Sequence, residues 1–215
     1  MQTGESRIDQ STHSLIVASD EAGYGAWAGP LVVAAVAAPR DWVPPAGLTD
    51  SKKLTEARRE ALYTLLSIDK SITRWIVSVY PQIIDGAGVY KANLAHHLSV
   101  HGYFQRTYTD ALHVADGNLP LGDAIVSLPK ADALVPAVSA ASILAKVTRD
   151  RLMRDLGKEY PGYGFEHHMG YGVPAHEEAL QKLGPCPIHR MSYAPVKAYV
   201  RSEVNILDLL DELSE

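Results

Sequence analysis

Two adjacent carboxylates, Asp20 and Glu21, follow a largely apolar run and precede a glycine-rich segment. The run at residues 14–19 predicts a β-strand, and residues 23–30, hereafter the glycine loop, predict a flexible turn. Neighbouring carboxylates repel each other unless a cation neutralises them, and hard oxygen ligands of this kind suit Mg²⁺ or Mn²⁺. Glycine also lets backbone N–H groups approach an anion closely. The segment therefore has the outline of a phosphoryl-transfer site.

Two more carboxylates lie at the ends of predicted elements. Asp116 follows the apolar run at residues 111–115 and enters a Gly-Asn turn, whereas Asp132 lies at the approach to a long helical segment. A two-metal centre needs about four carboxylates that converge from separate elements. Ligands in α/β folds usually collect at the ends of elements. The sequence therefore places four candidate metal ligands where such a centre would form.

The periodicity of the apolar residues predicts a mixed α/β fold. The segment 31–38 is nearly all apolar, which predicts a strand buried on both faces. Thr55 is suited to cap the helix that follows it. Apolar residues at helical spacing in the segment 204–213 predict a terminal helix that docks on its own domain. Strands are predicted at residues 14–19, 31–38, 72–79, 112–115 and 124–128, and helices at residues 56–66, 89–108, 138–157 and 175–183.

The composition is that of an ordinary globular protein. The 215 residues are 47% apolar and 21% charged, which fits one large domain or a domain with a smaller attachment. A single cysteine, Cys186, excludes an internal disulfide and favours a reducing compartment. Residues 1–12 lack the pattern of a signal peptide, and no apolar run approaches the ~20 residues of a membrane span. We therefore expect a cytoplasmic protein that does not engage a membrane.

The formal net charge of −5 is unusual for a nucleic-acid enzyme, because Lys and Arg are needed to displace counterions from phosphates. Five of the 25 acidic residues, however, lie at or beyond position 203, where no basic residue occurs. The rest of the chain carries 20 basic and 20 acidic residues. Basic side chains cluster at residues 52–53 and again between residues 146 and 158. We interpret Lys52, Lys53 and Lys146 as substrate contacts.

Five blocks of the sequence, in order, resemble the signature segments of ribonuclease HII. They are Asp20 to Pro30, Asp50 to Leu54, Asp116 to Asn118, Asp132 with Val138 to Asp150, and a last block that comprises Tyr160 to Phe165, Gly170 to Gly172, His176 and Pro187 to Arg190. The resemblance spans roughly residues 14–197. It implies a ribonuclease H-like fold, in which a mixed β-sheet is flanked by helices and a helical C-terminal extension closes over the nucleic acid. We expect residues 1–160 to form the catalytic core, with a flexible segment at 1–13, and residues 161–215 to form an extension of the same structural unit.

The resemblance implies an endonuclease that cuts the RNA strand of RNA/DNA hybrids and cuts 5′ of single ribonucleotides in duplex DNA. This activity belongs to ribonucleotide excision repair and DNA replication. Catalysis and the binding of two Mg²⁺ or Mn²⁺ ions fall to Asp20, Glu21, Asp116 and Asp132. Water activated by one cation would attack the phosphodiester while the other stabilises the leaving 3′ oxygen, which leaves 5′-phosphate and 3′-hydroxyl ends. Asp150 is interpreted as structural, because two arginines flank it.

The resemblance also implies a set of nucleic-acid contacts. In the family the glycine loop grips the ribonucleotide and its 2′-OH largely through backbone atoms, and the tyrosine at position 171 lies against the sugar at the RNA-to-DNA junction. This chain has Tyr24 where the family has arginine, so a guanidinium that could pair with phosphate is lost. Tyr24 can stack on a sugar or base, or pack against the fold. The expected contacts are Gly23, Tyr24, Gly25, Lys52, Lys53, Ser142, Lys146 and Tyr171.

Two alternative functions stay open. A type HIII relative would prefer longer RNA tracts, but such proteins usually carry an extra N-terminal domain, and here about a dozen residues precede the first strand. A non-catalytic hybrid-binding protein is disfavoured because all four carboxylates are present. Metal-dependent cleavage separates the enzyme from the binding protein. We expect a monomer, and no segment clearly matches a replication-clamp motif.

The paired histidines at residues 96–97 and 167–168 suggest zinc at first glance. No cysteine accompanies either pair, and adjacent residues on a helix point to different faces. We interpret these histidines as surface or packing residues. His176 and His189 receive no role.

Overall fold

The structure, a computed structural model, describes residues 13–200. Its strands are β1 (Leu15–Ala22), β2 (Leu31–Pro39), β3 (Thr73–Val79), β4 (Ala111–Asp116) and β5 (Val126–Leu128). The sheet is mixed, because β1 runs antiparallel to β2 and parallel to β4. The spatial order is β3-β2-β1-β4-β5, which confirms the predicted mixed sheet. The segment 204–213 and all but the last residue of the segment 1–13 lie outside the described residues.

All four predicted helices are present, with ends that differ from the prediction by at most two residues. The Thr55 side chain caps the first of them by accepting a hydrogen bond from the backbone N–H of Arg58. A short helix that begins at Pro81 was not predicted, because Pro81 and Gly86 resemble turn residues; proline is nevertheless well tolerated in the first turn. The helices are α1 (Glu56–Ile68), α2 (Pro81–Ala87), α3 (Val89–Thr107), α4 (Pro136–Glu159), α5 (Phe165–His168), α6 (Pro174–Leu183) and α7 (Ala194–Lys197), with 3₁₀ helices at Ser51–Lys53 and Ala131–Ala133.

The sheet is covered on both faces, and β2 is buried on both, as predicted. Alternate side chains of β1 and β2 pack against α4 and α1 on one face, and the intervening side chains pack against α3 and α2 on the other. Each fully buried Val or Leu contributes roughly 1.5–3 kcal/mol. This packing fixes the ends of β1 and β4 relative to α3 and α4.

The segment that follows α4 packs back onto the core. Phe165, Ala179 and Cys186 form a small apolar cluster with Met153 of α4 and Ala28 of the glycine loop. The helical C-terminal region is therefore in direct contact with the loop that follows β1. Among residues 13–200, no helix combines the length and apolarity that crossing a membrane would require.

Candidate active site

The strand β1 continues through both adjacent carboxylates instead of ending at Ser19 as predicted. The reason is the register with β2, which places Asp20 opposite Ala34 and Glu21 opposite Val33 and so extends the ladder to Ala22. Neighbouring strand residues point to opposite faces. Asp20 accordingly faces α4, where Ser142 hydrogen-bonds to it. Glu21 faces α3, where its Oε2 lies 3.1 Å from His97 Nε2.

Asp116 reaches the same region from the neighbouring strand. It is the last residue of β4, and its Oδ1 accepts a hydrogen bond of 2.8 Å from the backbone N–H of Ala131. Asp20, Glu21 and Asp116 meet in a cleft of about 420 Å³, hereafter the acidic cleft. Most of the predicted site residues also line it. The lining consists of Asp20, Glu21, Ala22, Gly23, Tyr24, Gly25, Ser51, Lys52, Asp116, Ser142, Lys146 and Tyr171.

Two of the predicted site residues lie outside this lining. Lys53 is exposed on the 3₁₀ helix that also carries Lys52. Asp132 lies on the second 3₁₀ helix and lines a neighbouring cleft beside Pro136 and Ser139. Its charge is nevertheless close enough to Asp116 to act on that carboxyl. The charge of Asp132 thus acts on a carboxyl of the acidic cleft, although the Asp132 side chain borders a different cavity.

The pKa values of Asp20 and Asp116 are both raised. Burial raises the pKa of Asp20 well above its usual value, and the charges of Glu21 and Asp116 add to this effect. Burial also raises the pKa of Asp116, with Asp132 and Glu21 contributing, although the hydrogen bond from Ala131 opposes the shift. Neighbouring carboxylates in a partly buried cleft favour the binding of a cation, which neutralises their charge.

The donor chemistry of the acidic cleft fits divalent magnesium or manganese. All three carboxylates offer hard oxygen atoms, and their mutual repulsion would be relieved by a cation. Within the part of the chain that the structure describes, no three acidic, histidine or cysteine side chains are already arranged to hold a metal ion. The carboxylates therefore interact through their charges, and their oxygen atoms would have to move closer together to coordinate a cation.

Two buried arginines that sequence reasoning did not assign hold the glycine loop from beneath. Arg190 donates to the carbonyl oxygens of Gly23 at 2.7 Å and Tyr24 at 2.8 Å. Arg149 of α4 donates to those of Pro30 at 2.8 Å and Ala28 at 3.1 Å. Both guanidinium groups are fully buried. The available signal in the sequence was that both arginines lie within segments that resemble the family. A buried arginine must donate to several acceptors, which here are the loop carbonyls.

The close approach of the Arg149 side chain to the loop requires glycine at position 23. Its φ of 91° lies in the region that favours glycine, and a Cβ atom there would lie 1.9 Å from Arg149 Nε. The loop backbone is thus kept in place from the interior, independently of the side chain at position 24. Tyr24 is 38% exposed. The missing family arginine is therefore not needed to support the loop.

The loop residue Trp27 is accommodated by a second glycine. A Cβ atom on Gly172 would lie 2.2 Å from Cε2 of the Trp27 indole, so the ring occupies space that only glycine leaves. The Trp27 backbone N–H also donates to the carbonyl of Gly170 at 2.8 Å. The glycine loop and the segment that carries Tyr171 are therefore joined directly.

Cationic groups surround the ring of Tyr171. Lys146 Nζ lies 5.9 Å from the ring centroid, and the Arg149 guanidinium carbon lies 5.1 Å from it. Lys146 also donates to Asp150 Oδ1 at 2.8 Å. Asp150 is buried and serves to hold a neighbour, in line with its structural interpretation. The ring and the lysine together form a positively charged aromatic wall of the acidic cleft.

Most of the histidines pack in the interior. His176 and His189 are fully buried, and their Nε2 atoms lie 3.0 Å apart. Burial lowers the pKa of each to about 4. His97 is buried, whereas the adjacent His96 is only partly buried, as expected for neighbours on one helix.

We expect the protein to lose stability in acid through His176 and His189. Their folded pKa values lie below the unfolded value of 6.5, so their contribution is complete above pH 6.5 and is lost as the pH falls toward about 4. The free energy of unfolding should fall by on the order of 2–3 kcal/mol for each histidine over that range. Urea titrations in EDTA across this interval measure the slope, which His176→Gln should reduce and His167→Gln, at an exposed position, should not. An unchanged slope in His176→Gln would refute this explanation.

The fold and the site together define a class. A mixed sheet in the order β3-β2-β1-β4-β5, with carboxylates at the ends of two adjacent central strands and helices on both faces, is the architecture of ribonuclease H-like nucleases. The helical C-terminal region, which packs against the loop beside those carboxylates, completes it.

Comparison with known proteins narrows the class to a family. The sequence model of the family Ribonuclease HII matches residues 17–196. The ribonuclease HII of Bacillus mycoides (strain KBAB4) is 41% identical over 201 residues, which cover 94% of this chain and 77% of that protein. The chain belongs to the ribonuclease HII family. It is therefore a metal-dependent ribonuclease H, and this membership supports activity on RNA/DNA hybrids.

Solved structures agree with this assignment. The crystal structure of the ribonuclease H2 from Pyrococcus horikoshii OT3 superposes with a TM-score of 0.66 at 26% identity, over 86% of this chain and 96% of that chain. The ribonuclease HII in a PCNA complex from Archaeoglobus fulgidus gives a TM-score of 0.65 at 25% identity, over 89% and 98% of the two chains.

Proposed function

We propose that the protein hydrolyses the RNA strand of RNA/DNA hybrids and also cuts 5′ of single ribonucleotides embedded in duplex DNA. The products carry 5′-phosphate and 3′-hydroxyl ends, and the activity serves ribonucleotide excision repair and DNA replication. The observation that supports this most strongly is the meeting of three carboxylates, the glycine loop and Tyr171 in one cleft. Cleavage of a labelled duplex with one ribonucleotide tests it.

We assign the metal-binding role to Asp20, Glu21, Asp116 and Asp132, with two Mg²⁺ or Mn²⁺ ions as cofactors. When bound, such cations lower the pKa of an attacking water and stabilise the charge on the leaving oxygen. The shared negative charge of the cleft supports this assignment, because each carboxylate is more easily ionised beside a cation. No side-chain nucleophile is needed.

The remaining lining residues bind and orient the nucleic acid. Lys52 and Lys146 place positive charge beside the carboxylates, where phosphates of the substrate strand would lie. Backbone atoms of Gly23 and Gly25 contact the ribonucleotide, and a Cβ at position 25 would meet no atom within 4 Å, so this part of the loop is open. The Ser142 hydroxyl lies 2.9 Å from that of Ser51, which holds the lysine-bearing 3₁₀ helix against α4.

Tyr171→Phe should weaken cleavage at isolated ribonucleotides. The substitution keeps the ring in the cleft and removes only the hydroxyl, so one hydrogen bond to the junction sugar is lost. We expect a loss of about tenfold in kcat/KM on a single ribonucleotide, and a smaller loss on a long RNA tract, where many positions can be cut. The matched control is Tyr163→Phe, whose hydroxyl donates to Gly184 away from the cleft. Equal rates for Tyr171→Phe and wild type at subsaturating substrate would remove this role.

We also propose that the nucleic acid is the principal partner, that the active species is a monomer, and that the core (1–160) and the extension (161–215) form one structural unit. The contacts between α4 and the segment after it support the last point, because Arg149 donates to the Met169 carbonyl at 2.9 Å. The predicted cytoplasmic location stays a prediction.

A further inference from the structure

A continuous series of buried polar side chains leads from Glu21 into the core between β1, β4 and α3. His97 Nε2 lies 3.1 Å from Glu21 Oε2, and His97 Nδ1 lies 2.8 Å from the Ser19 hydroxyl. That hydroxyl also lies 2.8 Å from His101 Nε2, and His101 Nδ1 lies 2.9 Å from His113 Nδ1. We call Ser19, His97, His101 and His113 the buried polar chain; none of the four is more than 5% exposed.

Two periodicities bring these side chains together. Ser19 and Glu21 are two residues apart on β1 and therefore point to the same face of the sheet. His97 and His101 are four residues apart on α3 and share one face of the helix. The surrounding interface is apolar, and polar groups in such surroundings cost free energy unless they are hydrogen-bonded. Every polar side-chain atom of Ser19, His97 and His101 has a partner.

The carboxylate fixes the direction of the first of these hydrogen bonds. A carboxylate can only accept, so His97 Nε2 carries a hydrogen. In the Nε2–H tautomer of a neutral His97, Nδ1 accepts the single hydrogen of the Ser19 hydroxyl, His101 Nε2 donates to Ser19 Oγ, and His113 Nδ1 donates to His101 Nδ1. In that arrangement every donor of the buried polar chain points toward Glu21.

The inner rings are neutral, as this direction requires. Burial lowers the pKa of His101 well below its usual value, and the neighbouring His113 and His97 add to the effect. Burial, together with His13, lowers the pKa of His113 to about 4. Neither ring carries a charge at neutral pH.

We infer that His97, supported by Ser19, is a positioning residue for the catalytic carboxylate Glu21. The inference rests on the proposed function, since it refines how one of the proposed metal ligands is held. The Glu21 side chain is 24% exposed at the mouth of the cleft, while His97 is fully buried. The His97 N–H holds Oε2, which restricts the rotamers of Glu21 and leaves its other oxygen for a cation. Loss of this bond should reduce turnover and cation binding more than it reduces the binding of nucleic acid.

The test compares His97→Leu with His101→Leu. Both replace a buried imidazole on the same helix face by a side chain of similar size, but only the first removes the donor to Glu21. The hydrogen bond between His97 Nε2 and Glu21 Oε2 does not involve His101, so loss of His101 leaves the donor to Glu21 in place. We expect His97→Leu to lower kcat and the affinity for Mn²⁺, measured by calorimetry without nucleic acid, by about 10- to 100-fold each. KM for the hybrid should stay within about threefold.

His101→Leu should lower the midpoint of thermal unfolding but keep kcat and Mn²⁺ affinity within about twofold of wild type. His97→Gln can present an amide N–H near the position of Nε2 and should recover most of the loss, whereas the shorter His97→Asn should not. If His97→Leu does not fold, the contrast between His97→Gln and His97→Asn decides the question.

Equal losses in the two leucine variants, or wild-type kcat and Mn²⁺ affinity in folded His97→Leu, would overturn the inference. Wild-type protein that cleaves no hybrid would instead refute the proposed function. In that event the Mn²⁺ affinities of the variants would still decide whether His97 positions Glu21.

Discussion

Asp20→Asn should abolish cleavage, with a loss of at least about 10³-fold in kcat, while the fold is kept. Asp20 lines the acidic cleft and lies close enough to Glu21 on the same strand and Asp116 on the next for their charges to act on it. An amide has nearly the same shape but cannot supply the negative charge that holds a divalent cation, and such cations contribute several kcal/mol to the transition state. Steady-state cleavage of a hybrid in Mg²⁺ measures the effect.

The same substitution should stabilise the metal-free protein. Burial and the two neighbouring carboxylates raise the pKa of Asp20, so its ionised form is disfavoured in the folded state. Stability is therefore lost as the pH rises from the unfolded value of 3.8 through the raised folded value, and an amide removes this loss. In EDTA at neutral pH the variant should unfold at a higher temperature than wild type.

The exposed Asp123 provides the matched control, since Asp123→Asn makes the same chemical change away from the cleft. Added Mg²⁺ should raise the unfolding temperature of wild type and of Asp123→Asn, but raise that of Asp20→Asn less, because ligand binding stabilises only the state that binds. Substantial cleavage by folded Asp20→Asn would remove Asp20 from the catalytic group.

Asp132→Asn should reduce cleavage by about 10²- to 10³-fold, even though this side chain borders a neighbouring cleft. Its charge acts on Asp116, and its 3₁₀ helix is tied to Asp116 through the Ala131 N–H. The Ser139 hydroxyl also donates to the Asp132 carbonyl at 2.7 Å, which anchors the backbone beside α4. The backbone that carries the Asp132 carboxylate is thus held in place near Asp20, Glu21 and Asp116.

Stability should change little in Asp132→Asn, because the backbone anchors are kept and the side chain is only partly buried; we expect less than about 0.5 kcal/mol. Rates and urea denaturation curves of the variant, wild type and Asp123→Asn should be measured together. Near-normal cleavage by the folded variant would show that three carboxylates suffice.

Local patterns were enough to predict the strands and the long helices, whereas the mixed sheet was implied by the family resemblance. Thr55 caps α1 as its residue type indicates, and the apolar run of β2 is buried on both faces. The end of β1 was predicted too early. Charged residues suggest the end of a strand, but the register with β2 carries the ladder through Asp20 and Glu21.

Contacts between distant segments could not be predicted from local patterns. Arg149 and Arg190 are separated from the glycine loop by more than a hundred residues, yet their guanidinium groups hold its carbonyls. Their support also explains how the loop can keep its conformation with Tyr24 in place of arginine. The spacing of His97 and His101 was a usable signal, because two histidines four residues apart on a helix share a face, but only the structure shows Glu21 and Ser19 against that face.

The most direct test of the proposed function is cleavage of duplex DNA that carries one ribonucleotide, beside a hybrid with a long RNA tract, in Mg²⁺ or Mn²⁺ and in EDTA. We expect metal-dependent cleavage of both substrates, with the single-ribonucleotide duplex cut on the 5′ side of the ribonucleotide to leave 3′-hydroxyl and 5′-phosphate ends. Cleavage of the long tract alone would contradict the proposed junction specificity and direct attention to Tyr24. No metal-dependent cleavage of either substrate by folded protein would contradict the assignment of the acidic cleft as the active site.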